Sequence, residues 1–543
     1  MDKALKMGKK SATGSFKLSF GLISSTVIMA FSTIILGNIL SPSELGLYII
    51  ALTPPSIFAL FRTLGLDFAL TRFAAKFQAS GDEEKTRASV ICGVIFEIAV
   101  GVLLSFVSLI LASFIASTVL GRPESTFLIS LASFSILTNT LLTLSHSIFF
   151  GIERMGLSSL ITIVNSIIQT TISIFLVLLG YGALGPVIGY TFSPLIVGTI
   201  GLIMVYSLLF RNAKKRSKSL DFFNSLKTML HYGLPLSSTT IIAGFLAQFY
   251  IFMMAINFND VLVGNYKIAL NFAVLLTFFT QPVTNVLFPT FARIDPKKEH
   301  VLLKTVFSSS VKYVALLLVP ATMGLMALSE PIVSVLFQNR YVYASTFLVL
   351  YAVGNLFQAL GNVSANSLLS GIGETRMQMK QSFLKLFLGI PLVLLLISMF
   401  GILGLIAGTW LSGLPSLFWG LYWIHKNYKL KANYNSLLRV FAAASLAAIV
   451  SFLSLNLLNA SSWMGIIVGG PIFLGCYFLS LPVLNAVDKV EIQNLRSMFS
   501  GLGLITKILN IPFNLLERFT VFNQTRGKHE QAIQDVSSNK DSK

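Results

Sequence analysis

Residues 46–52 read GLYIIAL and residues 264–270 read GNYKIAL. Gly46, Tyr48, Ile50, Ala51 and Leu52 recur as Gly264, Tyr266, Ile268, Ala269 and Leu270, a spacing of 218 residues from 46 to 264. One such match in a chain rich in Leu, Ile and Ala carries little weight; a shared spacing carries more. Leu18-Ser19 maps to Leu236-Ser237 and Phe73-Ala74 to Phe291-Ala292 at the same distance. The register then drifts slightly, with Gly151 answering to Gly371 and Arg154-Met155 to Arg376-Met377. The triplet Gly182, Gly185, Gly189 returns as Gly401, Gly404, Gly408. Two copies of one design lie in tandem.

Apolar residues make up 54% of the 543 and charged residues 11%, a balance outside that of soluble domains. The chain reads as an all-α integral membrane protein. About 20 apolar residues cross a bilayer as a helix, which predicts spans near 17–39, 46–71, 89–119, 127–150, 157–179 and 183–210. The second copy gives 233–256, 261–290, 311–336, 343–371, 380–400 and 403–425, and two more follow at 437–459 and 463–482. The expectation is about 14 transmembrane helices, arranged as two six-helix bundles plus an extra C-terminal pair. The first apolar run is too long for a signal-peptide core and leads directly into another span, so it reads as a retained helix.

The formal net charge is +19. Arg62, Arg122, Lys267 and Arg340 apart, the Lys and Arg residues gather at the N-terminus, in every second connection and in the C-terminal tail. Such one-sidedness is an orientation signal and puts both termini in the cytoplasm. Anionic lipid at that face is its expected partner. Nucleic acid is not, since no compact basic fold carries the charge. Cys92 and Cys476 lie inside predicted spans, which leaves no disulfide framework.

Six helices per copy bring both copies into the membrane from the same side, so a pseudo-twofold axis along the membrane normal is expected, with a cavity between the bundles. The expected organisation is a basic cytoplasmic N-terminus (1–16), a first lobe (17–210), a basic cytoplasmic linker (211–232), a second lobe (233–425) and the added pair (426–482). A cytoplasmic stretch follows (483–543), amphipathic to about residue 522 and then polar and disordered. Outer connections such as 41–45 and 257–260 are too short to hold a catalytic domain.

The chain resembles the polysaccharide-biosynthesis (O-antigen type) oligosaccharide flippases of the multidrug/oligosaccharidyl-lipid/polysaccharide (MOP) superfamily. The likeness rests on ILSPSELGLY at 39–48, LGLDFALTRFAA at 64–75, FFGIERM at 149–155 and LLGYGALGPVIGY at 178–190. The second copy adds YGLPLS at 232–237, VGNYKIAL at 263–270 and the run from Pro331 through FQNRYVYA to LLSGIGETRMQ. It covers about residues 15–500. Two positions depart from the family pattern: Asn38, where many relatives carry Arg, and the neighbourhood of Gln248 to Tyr250, where Asp is common. The resemblance implies a MATE-like transporter of the cell membrane that moves a polyprenyl-(di)phosphate-linked oligosaccharide by alternating access, for surface polysaccharide assembly.

Such a head group needs a wet path and cations, because charge inside a membrane is costly and ionisable residues there are functional candidates. Arg62 lies about 13 Å from the cytoplasmic end of its predicted span at 1.5 Å per residue, and Glu97 lies at similar depth. They form either a structural ion pair or a phosphate-binding Arg held by Glu97 until substrate arrives. Asp67 can pair with Arg62 or Arg72. Lys267, the one charge in the repeated heptad, answers to Ile49 and reads as either an outward substrate contact or a snorkelling side chain. Lys385 lies six residues inside a span, near the basic rim.

Asn355, Gln358, Asn362 and Asn366 fall on one helix face, and so do Ser158, Thr162, Asn165, Gln169 and Ser173. Amides and hydroxyls bind sugar hydroxyls without burying charge. The alternative for both stripes is helix-to-helix contact. His146, near a helix end, is a weak signal for proton coupling. Pro54-Pro55, Pro282 and Pro320 interrupt predicted helices and are candidate bending points, with Gln281 and Asn285 placed to satisfy freed carbonyls near Pro282.

The sequence holds no phosphate-loop motif, no His/Cys metal cluster and no D-x-D. No cofactor, metal or enzymatic activity is expected, and energy must come from an ion gradient, the membrane potential or consumption of the flipped lipid. A multidrug antiporter of the same superfamily is the competing reading and calls for an acidic first lobe. A membrane glycosyltransferase or polymerase would need a large outer loop, and a non-transporting scaffold would leave the polar stripes idle.

Overall fold

The computed structural model describes residues 2–211, 222–458, 461–488, 491–493, 496 and 517. Residues 212–221 of the basic linker, much of the stretch after residue 488 and the tail therefore lie outside the described residues, as do the side chains of Gln281, Pro282 and Asn285. What is described is all-helical. Twelve helices among the described residues are long and apolar enough to cross a membrane, making this a multi-pass membrane protein. The expected fourteen reduce to these twelve at two places. The span expected at 46–71 is divided in two, and those at 380–400 and 403–425 fall within one helical stretch, Thr375–Tyr428.

Two compact units are present: residues 1–272, 336–344 and 382–412 form the first, and 273–335, 345–381 and 413–543 the second. The first opens with α1 (Asp2–Ile39), α2 (Pro42–Ala59), α3 (Leu66–Ala79), α4 (Glu83–Phe114), α5 (Thr126–Ser133) and α6 (Ser135–Gly151). It continues with α7 (Met155–Leu178), α8 (Leu184–Leu209), α9 (Phe222–Asn257) and most of α10 (Asp260–Val274). The second is built from α11 (Thr277–Arg293), α12 (His300–Ala327), α13 (Ser329–Phe337), α14 (Ala344–Phe357), α15 (Val363–Gly371), α16 (Thr375–Leu411), α17 (Leu414–Tyr428), α18 (Tyr434–Leu457) and α19 (Ser462–Val483). The Ser382–Leu411 part of α16 and the last residues of α13 belong to the first unit.

The packing is that of helices in lipid. Along α4, Gly101, Ser105, Ser108 and Ala112 are buried while Leu103, Phe106, Ile110 and Phe114 are exposed. Lipid competes equally for large apolar side chains, so association relies on small residues and polar contacts. Ser108 and Ser133 accordingly share a hydrogen bond of 2.8 Å.

The repeated glycines have repeated roles. Gly189 closes on Ser173 and Gln169, and Gly408 on Val393. Residues so far apart in sequence meet only if the chain folds back, which it does at Gly182 and at Gly401, where φ is +49° and +59°. Gly151 seats against Ala74 and Thr71; its counterpart Gly371 seats against Phe291 and Phe288. The heptad glycines face each other: Gly46 lies on the carbonyl of Asp260 and Gly264 on that of Pro42, both inside the first unit.

The division of the span expected at 46–71 positions the site. Ser41 caps α2 through a capping box with Glu44, and Pro42 takes the first helical position. Pro54 and Pro55 remove two backbone donors, and within a turn the ladder loosens to shorter-range bonds from Leu60, Phe61 and Arg62 to Ile57, Phe58 and Ala59. Leu64 (φ +48°) and Gly65 (φ +81°) then break the helix, and α3 starts at Leu66. Gly65 meets Gly233 backbone to backbone, an approach that leaves no room for a Cβ on either.

Candidate functional site

The break between α2 and α3 opens into a cavity of about 330 Å³ within the first unit. Ser56 and Ala59 of α2, Arg62 and Thr63 of the break, Asp67 and Phe68 of α3, Tyr190 of α8, and Ser237, Thr240 and Gln248 of α9 line it. Arg62 projects from the unwound turn. Its Nη2 donates to Thr143 Oγ1 of α6 at 2.8 Å and its Nη1 to the Ala59 carbonyl at 3.4 Å, while Nε has no partner. A guanidinium steered by one hydroxyl keeps donors free for a phosphate, which it matches in a fork geometry. The positive end of α3 begins beside it.

Arg62 and Glu97 do not form an ion pair among the described residues: the guanidinium goes to Thr143, and both Glu97 carboxylate oxygens lack a hydrogen-bond partner. Arg62 and Asp67 nevertheless lie within electrostatic reach of Glu97. Lys267 is half-buried on α10, with no hydrogen bond or ion pair among the described residues. His146 Nδ1 is bonded to Ser158 Oγ at 2.8 Å, fastening α6 to α7. Asn165 Oδ1 accepts from Ser193 Oγ of α8 at 2.8 Å, and Gln169 and Ser173 are buried where Gly189 closes on α7. None of these α7 residues lines the Arg62 cavity.

The second stripe lies in the second unit. Between α14 and α15 the helix widens by a π turn at residues 358–362, with Gly361 at φ +120°. Gln358 Nε2 donates to Asn355 Oδ1 at 3.1 Å and Asn366 Nδ2 to Asn362 Oδ1 at 3.4 Å, so the amides form two pairs, one on each side of the kink at Gly361. Helix bulges of this kind recur at functional sites.

Sequence reading missed the α9 wall. Ser237, Thr240, Gly244 and Gln248 recur at helical spacing, a signal as regular as the two stripes it did weigh, and Gly244 is small where Leu60 approaches. Thr143 and Tyr190 carry no such mark.

A polysaccharide biosynthesis protein family matches residues 35–346, more than half of the chain. The chain belongs to that family. A second family, lipid II flippase MurJ, matches residues 266–470. Among curated relatives, the lipid II flippase MurJ of Bacillus subtilis is 22% identical over 78% of this chain and 85% of its own length. The succinoglycan biosynthesis transport protein ExoT of Rhizobium meliloti is 26% identical over 63% of this chain and 64% of its own. Among solved structures, MurJ in an inward closed conformation superposes with a TM-score of 0.65, covering 86% of this chain and 98% of that one at 14% identity. An inward-facing MATE multidrug transporter gives 0.60, covering 77% and 98% at 17% identity. These relatives are named as flippases and transport proteins and not as catalytic enzymes, and the fold is that of MurJ and the MATE transporters.

Proposed function

We propose that this family member is a flippase that carries a polyprenyl-(di)phosphate-linked oligosaccharide across the cell membrane by alternating access, for surface polysaccharide assembly. The observation that carries the reading is Arg62, which projects from a broken helix into a polar cavity with donors to spare. Irregular backbone at membrane depth is tolerated where it lines such a cavity. Arg62 holds the phosphate, with Ser237, Thr240 and Gln248 beside it; Lys267 is a second cation on the path, and the amides of Asn355, Gln358, Asn362 and Asn366 meet sugar. The residues 17–210 and 233–425 are the two rocking lobes. A groove of about 430 Å³ between α12 and α18, walled by Met323, Met326, Ala448 and Phe452, suits the polyprenyl tail. The basic segments face the cytoplasm and its anionic lipid. In that orientation the Gly46 and Gly264 contacts lie at the outer end of the first unit.

The relatives named as flippases or transport proteins for lipid II and succinoglycan support the substrate class. The test is translocation of a fluorescent polyprenyl-diphosphate oligosaccharide in proteoliposomes, with a cationic dye in parallel. Movement of the glycan lipid alone is expected. Dye efflux alone would make the protein a multidrug antiporter, a reading favoured by Asp67 in the same cavity and by the MATE-like fold.

A further inference from the structure

Helix α12 carries a proline in its interior. Pro320 has no N–H to give the Leu316 carbonyl four residues back, and its ring weakens the helix at that turn. The repeat spacing of 218 sets Val102 of α4 opposite Pro320, and α4 has no proline. A carbonyl freed inside a membrane needs another donor. Tyr477 of α19 supplies it: its buried Oη donates to the Leu316 carbonyl at 3.1 Å.

One turn before Leu316 is a second tie. Lys312 Nζ donates to both carboxylate oxygens of Glu491 at 2.7 Å, with 12% and 21% side-chain exposure. Glu491 lies in the segment that follows α19, and that segment is fastened in turn. Ala486, Val487 and Ile492 are buried in one apolar cluster with Leu303 and Phe307 of α12, and Arg439 of α18 donates to the Asn485 carbonyl at 2.9 Å. Both ties to α12 lie on the N-terminal side of Pro320.

Beyond the proline the contacts change in kind. Residues 321–327, ATMGLMA, carry no charge. Met323 Sδ accepts from Ser445 Oγ of α18 at 3.6 Å, and a thioether is a weak acceptor. Thr322 Oγ1 is buried without a hydrogen-bond partner, and Gly324 turns bare backbone to the Phe473 ring. Every α12 residue that walls the groove against α18, namely Met323, Met326 and Ala327, falls in this part.

We propose that Pro320 is a hinge: the N-terminal part of α12 is anchored through Tyr477 and Glu491, and residues 321–327 swing on it to widen or narrow the groove for a polyprenyl tail. The freed carbonyl belongs to the anchored part and its donor comes from α19, so the swing breaks no hydrogen bond there. All of these elements belong to the second unit. The hinge rests on the flippase reading only for the identity of the groove's occupant.

The test places the full chain, with Cys92→Ser and Cys476→Ser, in lipid nanodiscs and measures distances between pairs of spin labels at exposed positions. Leu438→Cys on α18 with Glu330→Cys just past the end of α12 reports the swinging part; Leu457→Cys with Thr305→Cys reports the anchored part. The first pair is expected to give two distances whose ratio shifts when a sugar-free polyprenyl phosphate, the probe, is added. Pro320→Ala should leave one of them. The second pair is expected to give a single distance, broadened when Glu491→Gln and Tyr477→Phe are combined. By thermal unfolding, Tyr477→Phe should lower the midpoint less in Pro320→Ala than in wild type, because residue 320 then supplies its own N–H to the Leu316 carbonyl. One distance for the first pair, two that persist in Pro320→Ala, or a ratio indifferent to the probe would overturn the hinge. So would a second pair as broad as the first in wild type. Glycan translocation that fails in proteoliposomes while the labels behave as expected would instead remove the flippase reading and leave the hinge standing.

Discussion

Arg122 Nε donates to Asp260 Oδ1 at 2.8 Å, joining the turn after α4 to the first residue of α10. The same guanidinium donates to the Phe258 carbonyl at 2.7 Å and to that of Ala255, capping the end of α9. Both partners are mostly shielded from solvent, at 13% and 22% side-chain exposure. Arg122→Ala is expected to cost about 1–3 kcal/mol, since it leaves a carboxylate and two helix-end carbonyls unpaired. Asp260→Asn keeps the carbonyl contacts and should cost less. Thermal unfolding of purified protein checks the order; equal losses would make the capping of α9 irrelevant.

A methyl group at Gly46 would strike the Asp260 carbonyl, and one at Gly264 the Pro42 carbonyl. The two contacts exchange under the 218-residue spacing, 42 for 260 and 46 for 264, as a twofold relation between the heptads requires. Gly46→Ala and Gly264→Ala are each expected to destabilise by about 1–3 kcal/mol, the range for overpacking a tight contact. Their effects should fall short of additive, because either one already separates the backbones. Gly470→Ala, in a helix with nothing within 4 Å of the added carbon, is the control and should be neutral or slightly stabilising. A neutral Gly46→Ala would mean that the helices pass each other with room to spare.

The fold was legible where residue type and spacing leave one physical answer. Gly182, Gly185 and Gly189 return as Gly401, Gly404 and Gly408 because each set builds the same hairpin, and only residues without side chains allow it. The break at 60–65 was not legible, since LFRTLGL is as apolar as a continuous span and the Leu64-Gly65 turn is two residues long. Period tells which residues share a face and not what that face meets. Ser158 and Asn165 share a stripe with spacing like that of the α14–α15 amides, yet they meet His146 and Ser193. Arg62 and Glu97 were conspicuous as buried charges, whereas Thr143, which holds Arg62, is one hydroxyl among many in the spans.

Gly401 holds φ at +59° at the hairpin inside α16. With ψ at −135° it occupies a backbone region open essentially to Gly alone, which costs a residue with a Cβ about 1–3 kcal/mol, so Gly401→Ala should lower stability by that amount although the site is open, with its nearest atom, in Phe258, 3.9 Å away. Gly475→Ala, in a helix with no neighbour within 4 Å, should instead be neutral or slightly stabilising. Comparing the pair by thermal unfolding separates backbone strain from crowding; equal effects would place the cost elsewhere.

Arg62 supplies the strongest prediction for the proposed activity. Removing a donor to a charged group forfeits about 1.5–3 kcal/mol, or roughly 10- to 100-fold in affinity, so Arg62→Ala should cut glycan export by about that factor at low glycan-lipid concentration with the protein still folded in the membrane. Arg62→Lys keeps the charge but loses the fork geometry and should retain a measurable fraction. Thr143→Ala frees the guanidinium from its 2.8 Å bond; it should weaken substrate binding by less than Arg62→Ala, because the charge remains and only its aim is lost. Translocation rates at several glycan-lipid concentrations distinguish these outcomes. Normal export by Arg62→Ala would remove the guanidinium from the mechanism and make Lys267, on α10, the next residue to test for holding phosphate.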